Sequence, residues 1–285
     1  MRFETRSLGP LGIEITSIDV RDELSENDLA ALRRVVLEEG LVLFREQPLD
    51  GSAQVELARR FGALEVLSLN SGAFDEKSIV LANVDESGKS LAPDGERMRT
   101  LAINDGWHTD SSFREVPASF ALLSAVTVPE QGGDTLFASL QKGWDALSSD
   151  EQSALYGLDG IHDYLAAYRS RGIDMSDVSG FDLPPRTHPI VRRHPETGRT
   201  GLFITEHMNG VEGLPEDESS ELLAKLIGVC TQPERIYRHR WSVGDLLIWD
   251  NRSTIHRAQG CESRTPRVMH HVRVAGSEPA IAATP

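Results

Sequence analysis

Two short segments far apart in the chain constrain its fold most: Trp107-His108-Thr109-Asp110, and Trp249-Asp250-Asn251 running on to His256. His108 and Asp110 are two residues apart, so on a β-strand both side chains leave the same face. His256 can join them only if the chain returns through the fold. Two imidazoles and one carboxylate on one face of a metal ion leave the other face open, which is the facial arrangement of non-haem Fe(II) oxygenases. A His-x-Asp pair alone is usually a surface or hydrogen-bonding pair. Here it gains weight from Arg267, eleven residues after His256, on the stretch Arg267-Val268-Met269-His270-His271-Val272-Arg273-Val274. On a strand, Arg267, Met269, His271 and Arg273 share a face. The same three ligands also suit Zn²⁺ or another divalent ion used for hydrolysis, but that reading leaves Arg267 without a role.

The 285 residues can bury a sizeable core, and no shift in composition divides them, so 1–285 reads as one domain. A formal net charge of −15 disfavours a nucleic-acid partner, whose phosphates it would repel. No membrane segment is expected: the longest nearly apolar run, Phe120 to Val128, is too short to span a bilayer and contains Ser124 and Thr127. Met1 to Thr5 carries no apolar leader, and Cys230 and Cys261 form no CxxC pair. A cytoplasmic protein with reduced thiols fits this usage.

Strand-like stretches flank the Gly9-Pro10 turn. Ser25 with Asp28 marks a helix start, Leu29, Leu32 and Val36 share its inner face, and Gly40 ends it. Leu41 to Phe44 reads as a buried strand, and a second helix runs from Ser52 to Phe61. Residues 67–106 read mostly as loop and 163–189 as a polar insertion, both lid-like. Between and after them short strands dominate, around Phe120–Val128, Asp134–Phe137, Ile190–Val191, Gly201–Ile204, Arg235–Trp241, Asp245–Trp249 and Arg267–Val274. Helices are expected over Ser149–Leu158 and from Pro215 at the first helical position to about Val229. Many short strands with helices gathered mainly on one side predict a mainly β fold, a double-sheet jelly roll.

Four pieces arrive in one order: Trp107-His108-Thr109-Asp110-Ser111-Ser112-Phe113; Gly132-Gly133-Asp134-Thr135; Trp249-Asp250-Asn251-Arg252 with His256-Arg257; and Arg267. In these the chain resembles the taurine and 2,4-dichlorophenoxyacetate dioxygenase family of Fe(II)/2-oxoglutarate enzymes. The phenoxyacetate-type branch is the nearest match, also through Tyr237-Arg238-His239-Arg240-Trp241. The resemblance implies a double-stranded β-helix, the cupin-like jelly roll. It implies Fe(II) on His108, Asp110 and His256, with 2-oxoglutarate as cosubstrate and O2 as oxidant. Arg267 would pair with the distal carboxylate of 2-oxoglutarate through its planar fork. Thr135 would be the hydroxyl partner, and Asn104 would line the pocket at the cosubstrate and the substrate. The reaction implied is hydroxylation of a C–H bond with release of succinate and CO2.

One position departs from the family. Four residues after the first Arg, relatives carry a second Arg for the substrate anion; here His271 stands there, with Arg273 one pair further on. His271 and Arg273 are therefore the candidate substrate residues. The leading substrate class is a small organic acid resembling an aryloxyalkanoate. A sulfonate, a sulfate ester or an amino-acid-like metabolite is the alternative, and a homo-oligomer is compatible with this reading. Trp107, Trp249 and Asp134 read as packing and turn residues, and Asp250 to Arg252 as a structured turn. His162, His188, His194, His207 and His239 lack ligand spacing and read as ordinary surface or satisfied histidines. His162, at the start of the second insertion, is also a minor candidate for a substrate contact.

Overall fold

Strand residues alternate between two buried clusters, and that alternation stacks the layers. In the computed structural model, which describes residues 3–66, 73–75, 78–176, 183–260 and 265–285, Leu41 and Leu43 of strand Leu41–Phe44 enter one cluster, while Val42 and Phe44 enter another. Strand Leu246–Asp250 repeats the pattern, with Leu247 and Trp249 against Leu246 and Ile248. A strand covered on both faces carries no polar alternation, which is why these stretches read as unbroken apolar runs.

Eight strands form the large sheet, in the order Thr5–Ser7, Ile13–Ile15, Leu41–Phe44, Leu246–Asp250, Phe120–Thr127, Val268–Val274, Ser78–Ala82 and Ala73–Asp75. All neighbours are antiparallel except Ile13–Ile15 beside Leu41–Phe44. Facing it is a three-stranded sheet of Tyr237–His239, Thr135–Ser139 and Thr254–Ala258. Leu43, Leu123, Met269 and Trp249 from the large sheet meet Phe137 and Tyr237 from the small one in the core between them. This is the mainly β, double-sheet jelly roll expected. Two further three-stranded sheets are formed by Thr200–Leu202, Val191–Arg193 and Ile281–Ala282, and by Met208–Val211, Asp159–His162 and Arg186–Pro189.

The helices lie on both outer faces, not mainly on one. Helices Glu26–Glu39 and Gly51–Arg59 press Leu32, Val36, Val55 and Ala58 onto the large sheet. Helices Leu140–Asp145, Ser149–Leu155 and Glu216–Cys230 cover Ala138 and Ile255 of the small sheet with Trp144, Leu155, Leu223 and Leu226. Ser25 caps the first helix by accepting from the Asp28 N–H, and Gly40 ends it at φ 75°, the left-handed region that glycine enters without strain. Pro215 is the N-cap of the last long helix rather than its first residue.

The two insertions are more ordered than their composition suggests. Within 67–106 the described part contains two strands of the large sheet and helix Glu96–Ala102, followed by a short helical turn over Ile103–Asp105. That helix has no side-chain cap at Gly95 and no fully buried residue, so neither of the usual sequence signals marked it. Residues 67–72 and 76–77 of the first insertion and 177–182 of the second lie outside the described residues. In the second, Asp163 caps helix Tyr164–Arg169. His162 is fully buried against Phe203 and His188, so it is a core residue and not a substrate contact. His188, His194, His207 and His239 are also buried. The apolar run at 120–128 is a strand, and no helix among the described residues is long and apolar enough to cross a membrane.

A buried charge cluster anchors the turn that precedes His256. Asp250 is fully buried and accepts two bonds from the Arg252 guanidinium, each at 2.9 Å, and one from His194 Nε2 at 2.9 Å. Burial opposes its ionisation, but Arg252 and His194 outweigh burial and hold its carboxyl far below the usual carboxylate range. A depressed carboxylate stabilises the fold above its unfolded pKa, about 3.9, and loses that contribution as pH falls toward the lower folded value. Asp250→Asn should therefore cost about 3 kcal/mol or more at neutral pH, the typical loss when a buried ion pair loses one partner. The gap between variant and wild type should narrow below about pH 4. Urea unfolding at several pH values checks this; a gap that does not vary with pH would refute it.

Candidate active site

His108 reaches the small sheet through its backbone. Its N–H donates to the His256 carbonyl and the His256 N–H donates back, both at 2.8 Å, an isolated antiparallel bridge beside strand Thr254–Ala258. The two rings lie 4.2 Å apart. Asp110 does not continue a strand as the spacing suggested. The chain turns after the bridge, and Ser111 adopts φ 58°. The carboxylate enters the site from a tight turn because Asp110 N–H is held at 3.3 Å by Asn251 Oδ1, which also accepts from Trp249 Nε1 at 2.9 Å. Asn251 thus joins the two motifs.

One ligand atom from each of His108, Asp110 and His256 lies within 4.8 Å of the others, all three residues are buried, and no other such group of three occurs among the described residues. The His108 Nδ1–H donates to the Gly106 carbonyl at 2.7 Å, so its Nε2 is the nitrogen left to offer. Asp110 Oδ2 and His256 Nδ1 are buried without a hydrogen-bond partner. Burial keeps His108 and His256 neutral at ordinary pH, with both held below the usual imidazole value. Burial disfavours the charged form of Asp110 too, yet His271, His256 and Arg273 hold its carboxyl well below the usual range. Neutral imidazoles around an ionised carboxylate are the protonation states that a divalent cation requires. The residues fit a bound metal.

A cavity of about 410 Å³ opens beside this group. Its wall contains every site residue named from the sequence: His108, Asp110, His256, Thr135, Arg267, Asn104, His271 and Arg273. Arg267 is fixed through its backbone N–H to Asn83 Oδ1 at 2.8 Å and through Nε to the Gly133 carbonyl at 3.1 Å. Thr135 Oγ1 accepts from Trp241 Nε1 at 3.0 Å, which ties the Gly-Gly-Asp-Thr turn to the Tyr237–Trp241 segment. Leu81, Met98, Leu101, Phe113, Leu123 and Trp249 make the remaining wall largely apolar. Trp249 packs in the core between the sheets, as expected, and its indole lies parallel to the His271 ring at 5.7 Å.

Several wall and supporting residues carried no sequence signal. Arg97, from the unmarked helix, and Tyr164 line the cavity. Arg114 also lines it; it directly follows the Trp107–Phe113 motif, which was the one available hint. Glu65 is buried and pairs with both Arg114 and Arg273, although nothing around it in the sequence suggests a site.

Comparison with known proteins agrees with this geometry. The family model described as taurine catabolism dioxygenase TauD, TfdA family matches residues 4–274. The chain is 40% identical over 251 residues to the alpha-ketoglutarate-dependent 2,4-dichlorophenoxyacetate dioxygenase of Cupriavidus pinatubonensis, covering 86% of this chain and 88% of that protein. It is 35% identical to the (S)-phenoxypropionate/alpha-ketoglutarate-dioxygenase of Sphingobium herbicidovorans, with 95% of each covered. Among solved structures, AAD-2 in complex with Mn(II) and N-oxalylglycine superposes with a TM-score of 0.90 at 29% identity, over 99% of this chain and all of that one. The chain belongs to the TauD/TfdA family and is an Fe(II)- and 2-oxoglutarate-dependent dioxygenase.

Proposed function

We propose that this dioxygenase hydroxylates a small organic acid of the aryloxyalkanoate type, within one catalytic domain whose segments around Glu96–Ala102 and Tyr164–Arg169 cover the pocket. The observation that carries the reading is the convergence of all eight motif residues on one cavity with a largely apolar wall. Relatives named for 2,4-dichlorophenoxyacetate and (S)-phenoxypropionate support it. The apolar side chains suit an aryl ring better than a small aliphatic sulfonate, since burying a ring is favourable only against apolar surface.

In this reading His108, Asp110 and His256 hold Fe(II), and Arg267 with Thr135 holds the distal carboxylate of 2-oxoglutarate. Asn104 and Arg273 face the substrate, while His271 stands between Asp110 and Trp249. Bound Fe(II), with O2, couples oxidative decarboxylation of 2-oxoglutarate to succinate with hydroxylation of a substrate C–H bond. The chain's own part is orientation. The His108–His256 bridge fixes two ligands and Asn251 the third. Gly133 and Asn83 set Arg267, and the apolar wall excludes water around the ring. Hydroxylation beside an ether oxygen gives a hemiacetal that collapses to a phenol.

Asp110→Ala and His256→Ala should each abolish turnover and lower Fe(II) affinity at least tenfold while leaving the circular dichroism spectrum unchanged, since each removes one of three ligands. Equilibrium dialysis with Fe(II) under nitrogen checks this, and retained metal affinity in either variant would refute the ligand set. Arg267→Ala should raise the 2-oxoglutarate requirement by about thirtyfold or more, from the roughly 2–5 kcal/mol lost when a buried charge pair is truncated. Apparent affinity for the organic acid, measured at saturating 2-oxoglutarate, should move far less. The functional reading itself is checked by substrate-dependent succinate release across aryloxyalkanoates, sulfonates and sulfate esters. A phenol as product supports it, and sulfite or a stable alcohol as the main product contradicts it.

A further inference from the structure

One buried carboxylate organises the wall beyond Asp110. Glu65 follows an isolated bridge between Leu64 and Val274, and its N–H donates to the Arg273 carbonyl at 3.0 Å, so it is pinned beside strand Val268–Val274. Its side chain is 6% exposed and has three partners. The Ser111 hydroxyl lies 2.8 and 2.7 Å from its two oxygens. Arg114 Nε lies 2.5 Å from Oε1, and Arg273 Nε 3.1 Å from Oε2. Ser111 is the residue at φ 58°, directly after Asp110, a conformation that costs energy in a non-glycine residue and needs holding.

Two guanidiniums share the Glu65 carboxylate, and both Arg114 and Arg273 line the wall; Asp110, the other carboxylate beside Arg273, is committed to the metal in the reading above. Each guanidinium comes nearest to Glu65 at Nε, as an ion pair in which neither Nε makes a hydrogen bond, and the terminal N–H groups are the donors that remain for another acceptor. Arg273 Nη1 is 4.0 Å from Asp110 Oδ1, and Arg114 Nη2 makes one long bond of 3.4 Å to the Val66 carbonyl. His271 also lines the cavity but is engaged differently. Its ring lies parallel to Trp249, and its Nε2 points at Asp110 Oδ2, 3.6 Å away.

We infer that Arg114 and Arg273 together anchor the substrate carboxylate, and that Glu65 is the positioning residue that aims both guanidiniums while holding the Ser111 turn behind Asp110. This rests on the organic-acid reading above. The anchor lies on the same wall as the metal-ligand carboxylate, so one acid group fixed there places the neighbouring carbon toward the site where oxidation occurs.

The test compares phenoxyacetate with its neutral amide, phenoxyacetamide, on the anaerobic enzyme loaded with Fe(II) and 2-oxoglutarate, reading affinity from the change in the visible absorption band. The wild type should prefer the acid by roughly a hundredfold, two charge-assisted contacts at about tenfold each. Arg114→Gln should weaken acid binding by about tenfold, leave amide binding within about threefold, and leave 2-oxoglutarate affinity unchanged. Glu65→Gln should shrink the acid preference similarly, and Glu65→Asp should restore part of it. His271→Gln and Arg97→Gln should keep the preference. Arg114, partly exposed, keeps the test decisive even if Glu65→Gln folds poorly. The assignment is overturned if Arg114→Gln binds the acid normally, or if His271→Gln or Arg97→Gln alone removes the preference. A wild type that releases no succinate with any aryloxyalkanoate overturns the functional reading and this assignment with it, before any variant is made.

Discussion

The reciprocal backbone bonds between His108 and His256 are the constraint on which the site depends. They fasten a segment outside any regular strand to the edge of the small sheet, so that two of the three residues able to hold a metal, distant in sequence, sit one across from the other. Antiparallel pairing sets the side chains of directly opposed residues on the same face, so the bridge fixes the imidazoles without help from the side chains themselves. Everything else at the site is referred to that bridge. Asn251 hangs the Asp110 turn from the second motif, and Trp249 below it stacks on His271.

The second organising fact is electrostatic. Burying a charge is costly unless it is paired, and four of the six buried carboxylates among the described residues illustrate it, each with cationic or imidazole neighbours. Asp110 has His256, His271 and Arg273 around it; Glu65 has Arg114 and Arg273; Asp250 has Arg252 and His194; Asp245 has Arg45 and His239. The Asp250 and Asp245 sets hold loops that lead into strands of the two sheets. The Asp110 and Glu65 sets meet the cavity, where Arg273 belongs to both. A single side chain thus couples the metal-ligand turn to the pocket wall.

Much of the site was readable before any coordinates because its chemistry is local and residue-specific. His-x-Asp, the distant His256 and Arg267 are the residue types that metal-ligand and dicarboxylate chemistry calls for, and such types admit few substitutes. The largely apolar runs at 41–44, 120–128 and 246–249 marked strands because both faces of the large sheet are covered there. Helix Glu96–Ala102 escaped notice because it packs no buried stripe and lacks a cap, so it leaves no periodic trace. The single-sided placement of helices was wrong for a related reason: amphipathic periodicity shows that a helix buries a face but not which sheet receives it.

The sequence by itself set the chemistry on offer: which residues can donate nitrogen and carboxylate ligands, which cation is available to a dicarboxylate, and that the strands would be many and short. These follow from side-chain type and spacing along the chain. Only the tertiary structure decided how Asp110 enters the site, from a strained turn rather than a strand, and that Glu65 stands behind Arg114 and Arg273. Those depend on contacts between residues far apart in the chain, 65 with 111, 114 and 273, and 110 with 251. A contact of that kind leaves no mark in the local sequence, because any short segment carrying a glutamate at 65 would look the same until the sheet brings its partners to it.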